Sequence, residues 1–332
     1  MNTPVLVADI GGTHIRLALS THASAPLQGV SIWRCADFEH PLAAFRCYLA
    51  QLASKGAPLP RVICLAVAAP VQDDHIRMTN NHWHFSRMAL ASALQLPVMV
   101  LNDFEAQAWC LLHPEQLTLR WINPAQPVAH WPRALRTVAG PGTGFGAASL
   151  TPGGEVISAE PGHIAFAPLN QQDLSVLQQL WRWFPRVTVE HMISGPGIAN
   201  TYCALANQAG QPMTPDTSPN SAEIVSMAEH SVLAADTLRC FSRWLGAVCG
   251  DLALAKGSTG GFFLSGALLA KLGRHFDQSA FLQAFTNKAT FSHWCSAIPV
   301  AYVEDEWPGL TGCAMYTHHH PNLIHDAGPL HG

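Results

Sequence analysis

The sequence predicts an α/β protein built from two domains. Three observations carry this. The chain has 332 residues, 48% of them hydrophobic, which is enough for two cores rather than one. Nearly continuous apolar runs at 61–68 (RVICLAVA) and 97–101 (PVMVL) read as strands buried on both faces, with helical spacings between them. Two strand–glycine–strand elements, at 5–20 and 136–150, read as hairpins, one in each part.

Taken in order, 5–10 (VLVADI) is a short apolar strand that Gly11-Gly12-Thr13 breaks, and 15–20 (IRLALS) resumes extended alternation. Helical spacing covers 42–53 and 86–95. Residues 114–136 are proline-rich and read as an irregular crossing between domains with an edge elaboration. A second sheet signal follows at 136–140, 146–150 and 155–158. Its outline matches the first hairpin and suggests an internal duplication. Helices are expected over 172–183 and 190–208, with a loop at 210–220. From 221 to 254 there is no proline, and an apolar stripe at 224, 227, 228, 232, 238, 241, 245, 248 and 252 predicts one long helix or a broken pair. Strands are expected at 259–265 and 298–303. The tail with His318-His319-His320 is read as frayed.

Charge narrows the function. Only 12% of residues are Asp, Glu, Lys or Arg, and the net charge is -4 without a basic run. Nucleic acid and anionic membranes therefore lose their electrostatic basis as partners. Sparse surface charge favours association, so an oligomer is expected. Nine cysteines form no Cys-x-x-Cys pair and no zinc-finger spacing. They read as reduced core thiols of a cytoplasmic protein. The N-terminus lacks the pattern of a signal peptide, and no apolar run approaches the length of a membrane span.

Six motifs can carry chemistry. In Asp9-Ile-Gly-Gly-Thr-His-Ile-Arg16 the glycines permit close approach of backbone N–H groups to a phosphate, and Asp9 is placed to hold magnesium directly or through water. Gly11-Gly12 is equally a tight hairpin turn. Gly140-Pro-Gly-Thr-Gly-Phe-Gly146 lies between strands and has neither the P-loop ending nor the dinucleotide spacing. Two such turns fit a pair of hairpins clamping one polyphosphate. Asn102-Asp103 ends a buried strand, where a carboxylate can act as general base. Asn and Asp are also the preferred helix caps. Glu160-Pro-Gly-His163 can hydrogen-bond the hydroxyls of a polyol, or is a solvent-exposed turn. Ser194-Gly-Pro-Gly197, with Glu190 upstream, reads as a turn at a helix boundary. Gly260-Gly-Phe-Phe-Leu-Ser-Gly266 could approach a flat ligand such as adenine, or is a bare turn.

In this order the pieces resemble bacterial glucokinases of the hexokinase and actin-like ATPase superfamily, across nearly the whole chain. Also part of the resemblance are Met78-Thr-Asn80 with Trp83, Phe85 and Ser86, Phe166-Ala-Pro168, and Pro308-Gly-Leu310. The resemblance implies a two-domain actin-like (ribonuclease H-like) fold with an inter-domain cleft. Residues 1–112 and 303–325 would form the small domain, 113–302 the large one, and 326–332 a flexible tail. It implies an ATP- and magnesium-dependent hexokinase that phosphorylates the 6-hydroxyl of glucose, and a cytoplasmic homodimer.

Asp103 would be the base. Asn102, Asp103, Glu160, His163 and Glu190 would hold the sugar. Gly11, Gly12 and Thr13 resemble the first phosphate loop, and Gly142, Thr143 and Gly144 the second. Asp9 resembles the carboxylate near magnesium, and Gly266 the adenosine-contacting turn.

This chain departs from the family pattern with His14 for Asn, Pro161 for Gly and Ala165 for Asp. The ROK sugar kinases carry a zinc site with a Cys-x-Cys-Gly-x-x-Gly-Cys motif. Here no cysteine follows His163 until Cys203, so zinc is not expected. A non-catalytic sugar sensor on a kinase scaffold, a kinase for another hexose, and ATP hydrolysis without sugar are the rival readings.

Overall fold

The structure, a computed structural model, describes residues 3–23, 25–79, 81–123 and 133–322. It divides into two compact units, 1–118 with 305–332, and 119–304. The expected tail, 326–332, and Asn80 lie outside the described residues.

In the first unit, β1 (Val5–Ile10) and β2 (His14–Ser20) form the hairpin read from sequence. Then come β3 (Gln28–Arg34), α1 (Pro41–Ser54), β4 (Val62–Val67), the small hairpin β5 (His75–Arg77) and β6 (His84–Ser86), α2 (Arg87–Leu94), β7 (Val98–Asn102) and α3 (Asp103–Cys110). The five-stranded sheet runs β3-β2-β1-β4-β7, antiparallel among the first three and parallel from β1 to β7. Strand β4 is buried at every position, as its unbroken apolar run requires. Leu6, Ala8, Ile10, Phe45, Tyr48 and Trp83 form the core, and each large side chain taken from water stabilises by about 1.5–3 kcal/mol.

The second unit opens with β8 (Leu119–Trp121), a strand within the segment expected to be irregular. It continues through β9 (Arg136–Pro141), β10 (Phe145–Leu150), β11 (Val156–Ala159), α4 (Gln171–Leu180), α5 (Val189–Met192), α6 (Gly195–Gln208), α7 (Ser221–Met227) and α8 (Val232–Lys256). The proline-free stretch is thus the broken pair. Ser231 caps the second member by accepting from Ala234 N. Strand β12 (Phe262–Leu264), helices α9 (Ala267–Leu272), α10 (Gln278–Thr286) and α11 (Ser292–Ser296), and β13 (Val300–Val303) complete it.

Its sheet order is β11-β10-β9-β12-β13-β8. The first five strands repeat the order and directions of the first sheet, with two antiparallel hairpin pairings and then two parallel ones. Glycines 246 and 250 let α8 meet α10 closely. A Cβ at either would fall 2.1 or 2.3 Å from the carbonyl oxygen of Phe281 or Phe285.

Helix α12 (Pro308–His319) returns to the first unit and packs on α3. Gly312 permits this, since a Cβ there would lie 1.7 Å from Ala106 O. The histidines are not frayed. His318 and His319 belong to α12, His318 Nε2 lies 3.1 Å from Ser20 Oγ, and His319 and His320 pack against Trp109. A serine hydroxyl and the Trp109 indole thus hold this end of the helix in place.

Candidate active site

In the first unit, three parallel strands end together. Register pairs Ile10 with Val67 and Val67 with Asn102, so Asp9 and Asn102-Asp103 share the carboxyl-terminal edge of one sheet. Asn102 caps α3. Its Oδ1 accepts from Phe104 N (3.0 Å) and Glu105 N (3.4 Å), its own N–H donates to Glu105 Oε2, and its Nδ2 donates to Ala69 O (3.3 Å). Asp103 is the first helical residue. It is half-buried, and its Oδ1 accepts from Phe104 N at 2.9 Å. The cap is thus made by Asn102, which leaves Asp103 as the adjacent half-buried carboxylate at the helix start. Burial pushes the Glu105 carboxyl up in pKa, and the hydrogen bond from Asn102 N opposes that.

Asp9 faces Arg16 across the hairpin, with Arg16 Nη1 donating to Asp9 Oδ2 at 3.2 Å. Burial raises the pKa of the Asp9 carboxyl, while Arg16 draws it down. The Arg16 guanidinium lies 5.6 Å from the Trp307 ring centroid, and Gly309 packs against the Asp9 carboxyl. These contacts span some 300 residues of sequence, and no local signal announced them. The Gly11–Thr13 turn is fastened at both ends. Gly11 N donates to His14 O, Cys35 N donates to Thr13 O, and Asn81 Nδ2 donates to Gly11 O.

The second unit gathers its own group. The turn Gly142-Thr143-Gly144 joins β9 to β10, and Gly195 N donates to Gly142 O at 2.8 Å. Gly266 stands against the end of β9 with φ +112°, and a Cβ there would lie 2.7 Å from Pro141 O. Gly144 faces the carboxylate of Glu190, so a Cβ at 144 would come 2.7 Å from Glu190 Oε2. Gly162 meets the same oxygen. His163 Nδ1 lies 3.5 Å from Glu190 Oε1. Glu160 is exposed, immediately before the 161–163 turn, and Pro161 occupies the first position of that turn.

Among the described residues no group of three or more His, Cys, Asp or Glu clusters as a metal cage. A single carboxylate such as Asp9 could hold a hard cation bound mostly by phosphate and water, because magnesium dehydrates reluctantly and commonly takes one or two carboxylates.

Two sheets of one topology, each ending in a glycine-lined hairpin, with carboxylates at strand tips and helix starts, define a sugar kinase of the actin-like ATPase fold. The comparisons with known proteins agree. The family model described as Glucokinase matches residues 6–320. A glucokinase of Chromohalobacter salexigens is 36% identical over 326 residues, covering 96% of this chain and 98% of its own. The crystal structure of glucokinase from an Antarctic psychrotroph aligns with a TM-score of 0.82 at 34% identity, covering 96% of this chain and 100% of that one. A ROK family glucokinase from Streptomyces griseus, solved with glucose and AMPPNP, shares the fold with a TM-score of 0.63 at 18% identity, covering 94% and 98%. The chain belongs to the glucokinase family, whose reaction is ATP-dependent phosphorylation of glucose.

Proposed function

We propose that Asp103 is the general base for transfer of the γ-phosphoryl group of ATP to the 6-hydroxyl of glucose. The observation that supports this is the placement of its half-buried carboxyl at the start of α3, on the same sheet edge as Asp9. As the sugar oxygen bonds to phosphorus and the bond to the leaving ADP oxygen breaks, Asp103 accepts the hydroxyl proton.

Glu160, His163 and Glu190 hold the remaining hydroxyls. Asn102 adds the second hydrogen of its Nδ2, since Ala69 O takes one and the cap occupies Oδ1. Backbone N–H groups of Gly11, Gly12 and Thr13, and of Gly142, Thr143 and Gly144, bind the phosphates, and Gly266 leaves room for the adenosine. Asp9 would hold magnesium through water, with Arg16 fixing the carboxylate. When bound, the ion neutralises charge on the phosphates.

We further propose a cytoplasmic homodimer. The low charge content and eight buried free cysteines support it. Among the described residues no helix is long and apolar enough to cross a membrane.

The test is ADP release at fixed ATP, with and without glucose, followed by a panel of hexoses. Release that depends on glucose, with glucose giving the highest kcat/KM, is expected. ADP release independent of sugar would overturn the reading in favour of plain ATP hydrolysis. Sugar binding without ADP release would overturn it in favour of a sensor.

A further inference from the structure

The segment Val189-Glu-His-Met192 forms α5, a single turn of four residues with Thr188 as its N-cap. A turn this short is not stable by itself, because helix nucleation is unfavourable. Something outside its own ladder must hold it, and His191 does so. Its Nδ1 lies 3.0 Å from Thr188 N and 3.0 Å from Thr188 Oγ1. A backbone amide can only donate, so Nδ1 must accept, and the ring is the neutral Nε2–H tautomer. This is the reach-back contact that Glu or Gln makes in a capping box, made here by an imidazole. The ring stacks on Phe184 with centroids 4.2 Å apart.

Thr188 is more than a cap. It bridges to Ala165, Val189 N donates to Ile164 O at 2.9 Å, and Phe166 N donates to Val187 O at 3.1 Å. Residues 187–189 are thus strapped to 164–166, the segment that follows His163 directly. Ser194 Oγ donates to Glu190 O at 2.6 Å and Asn200 Nδ2 to His191 O at 3.0 Å, which anchors the other end of the turn to α6. One imidazole therefore pegs the backbone on which both Glu190 and His163 are placed.

We infer that neutral His191 is a positioning residue for Glu190 and His163, and that its protonation loosens the hold on glucose without disabling phosphoryl transfer. The inference rests on the assignment of Glu190 and His163 to the sugar. A proton on Nδ1 would face the Thr188 N–H, so the contact becomes repulsive and the strap loses its peg. Burial lowers the imidazole's pKa first of all. The Glu190 carboxylate opposes that and His163 adds to it. The neighbours Phe184, Thr188 and Asn200 carry no charge. Because the folded chain disfavours the protonated form, the peg is intact at and above the ordinary histidine value and is lost only as pH falls through the lower folded-state value.

The test measures kcat and KM for glucose from pH 5.5 to 8 on the full-length wild type, His191→Asn and Glu190→Gln. In the wild type, KM should rise about 3- to 10-fold toward pH 5.5, the scale of one net hydrogen bond. An Asn carbonyl can accept from Thr188 N but does not titrate. His191→Asn should therefore keep the neutral-pH KM within about 2-fold and flatten its acid limb, while its kcat profile follows the wild type.

An acid limb in His191→Asn equal to that of wild type overturns the inference. So does an imidazole 15N spectrum of the wild type showing His191 protonated at Nδ1 near pH 7.5, a measurement that stands even if the variant fails to fold. Glu190→Gln should raise KM at neutral pH. An unchanged KM there would instead remove Glu190 from the sugar, a failure of the underlying assignment with its own signature.

Discussion

The two sheets repeat one strand order, yet they carry different things at their ends. The first unit places charge there. Asp9 is the penultimate residue of β1, Asp103 starts the helix after β7, and Arg16 pairs with Asp9 at a site where the side chains are 31% and 23% exposed. The second unit places space there. Gly144, Gly162 and Gly266 clear room, and the charged side chain, Glu190, arrives on a helix inserted after β11. The second unit buries its strongest ion pair far more completely. Asp173 is fully buried and takes both Nη1 and Nη2 of Arg243 at 3.0 and 2.5 Å. A duplicated scaffold has thus been loaded asymmetrically, with solvent-reachable charge in one half and charge used for cohesion in the other.

The comparison breaks if charge in the first half proves dispensable. Asp103→Asn keeps the shape of the helix start and removes the proton acceptor. Turnover should fall by at least about 10²-fold, while glucose binding, followed by tryptophan fluorescence or calorimetry, persists. Near-normal turnover would relocate the base.

Asp173→Asn tests the opposite half. It leaves Arg243 without its buried counter-charge, and removing one partner of such a pair costs about 3–5 kcal/mol. Leu169 N still finds an acceptor at 173, so a loss near the lower figure is expected. Chemical denaturation should register it, and kcat at 25 °C should not move. A stable variant would show that the pair contributes no cohesion.

The glycines sharpen the contrast. At Gly144 an added Cβ meets only the far end of the Glu190 side chain, which can yield. Gly144→Ala should fold normally and raise KM for glucose by about 3- to 10-fold, the worth of a displaced hydrogen bond. At Gly140 the Cβ would fall 1.7 Å from the carbonyl oxygen of Ser265, where only backbone can move. Gly140→Ala should lose soluble expression or a large part of its thermal stability. Equal behaviour of the two variants would mean that Gly144, like Gly140, is there for packing.

Much of this was legible before any coordinates. The strands at 5–10, 61–68 and 97–101 are runs of apolar residues with no polar alternative, so tertiary context could not redirect them. Strand β3 was invisible because it is an edge strand. Val30 and Ile32 stay 38% and 48% exposed, so no unbroken apolar run marks it. The 221–254 stripe left a single helix and a broken pair both open, because Ala228 to Ser231 interrupts the backbone without interrupting the apolar spacing.

At the candidate site, Asp103 and the glycine turns stand in short motifs and could be read. The partners that hold them could not. Trp307 and Gly309 reach Asp9 from the far end of the chain. The role of His191 needed the knowledge that its Nδ1, not its Nε2, faces Thr188. Thr-x-x-His is a capping-box spacing, and that was the one local signal available for it.

The smallest expected effect is the most discriminating about charge in the first half. Burial raises the pKa of the Asp9 carboxyl above its unfolded value even with Arg16 beside it. The stability linked to that shift is present below the unfolded carboxylate value and is lost as pH rises through the folded one. At neutral pH the ionised group therefore works against the fold. Asp9→Asn removes that charge and leaves Arg16 against Trp307, partly in water. Its Tm at pH 7 should equal or exceed that of the wild type, with the difference shrinking as pH is lowered toward 4. Its turnover at limiting magnesium should fall well below the wild type's. A lower Tm would mean that Arg16 holds Asp9 for cohesion, as Arg243 holds Asp173, and the asymmetry between the two halves would dissolve.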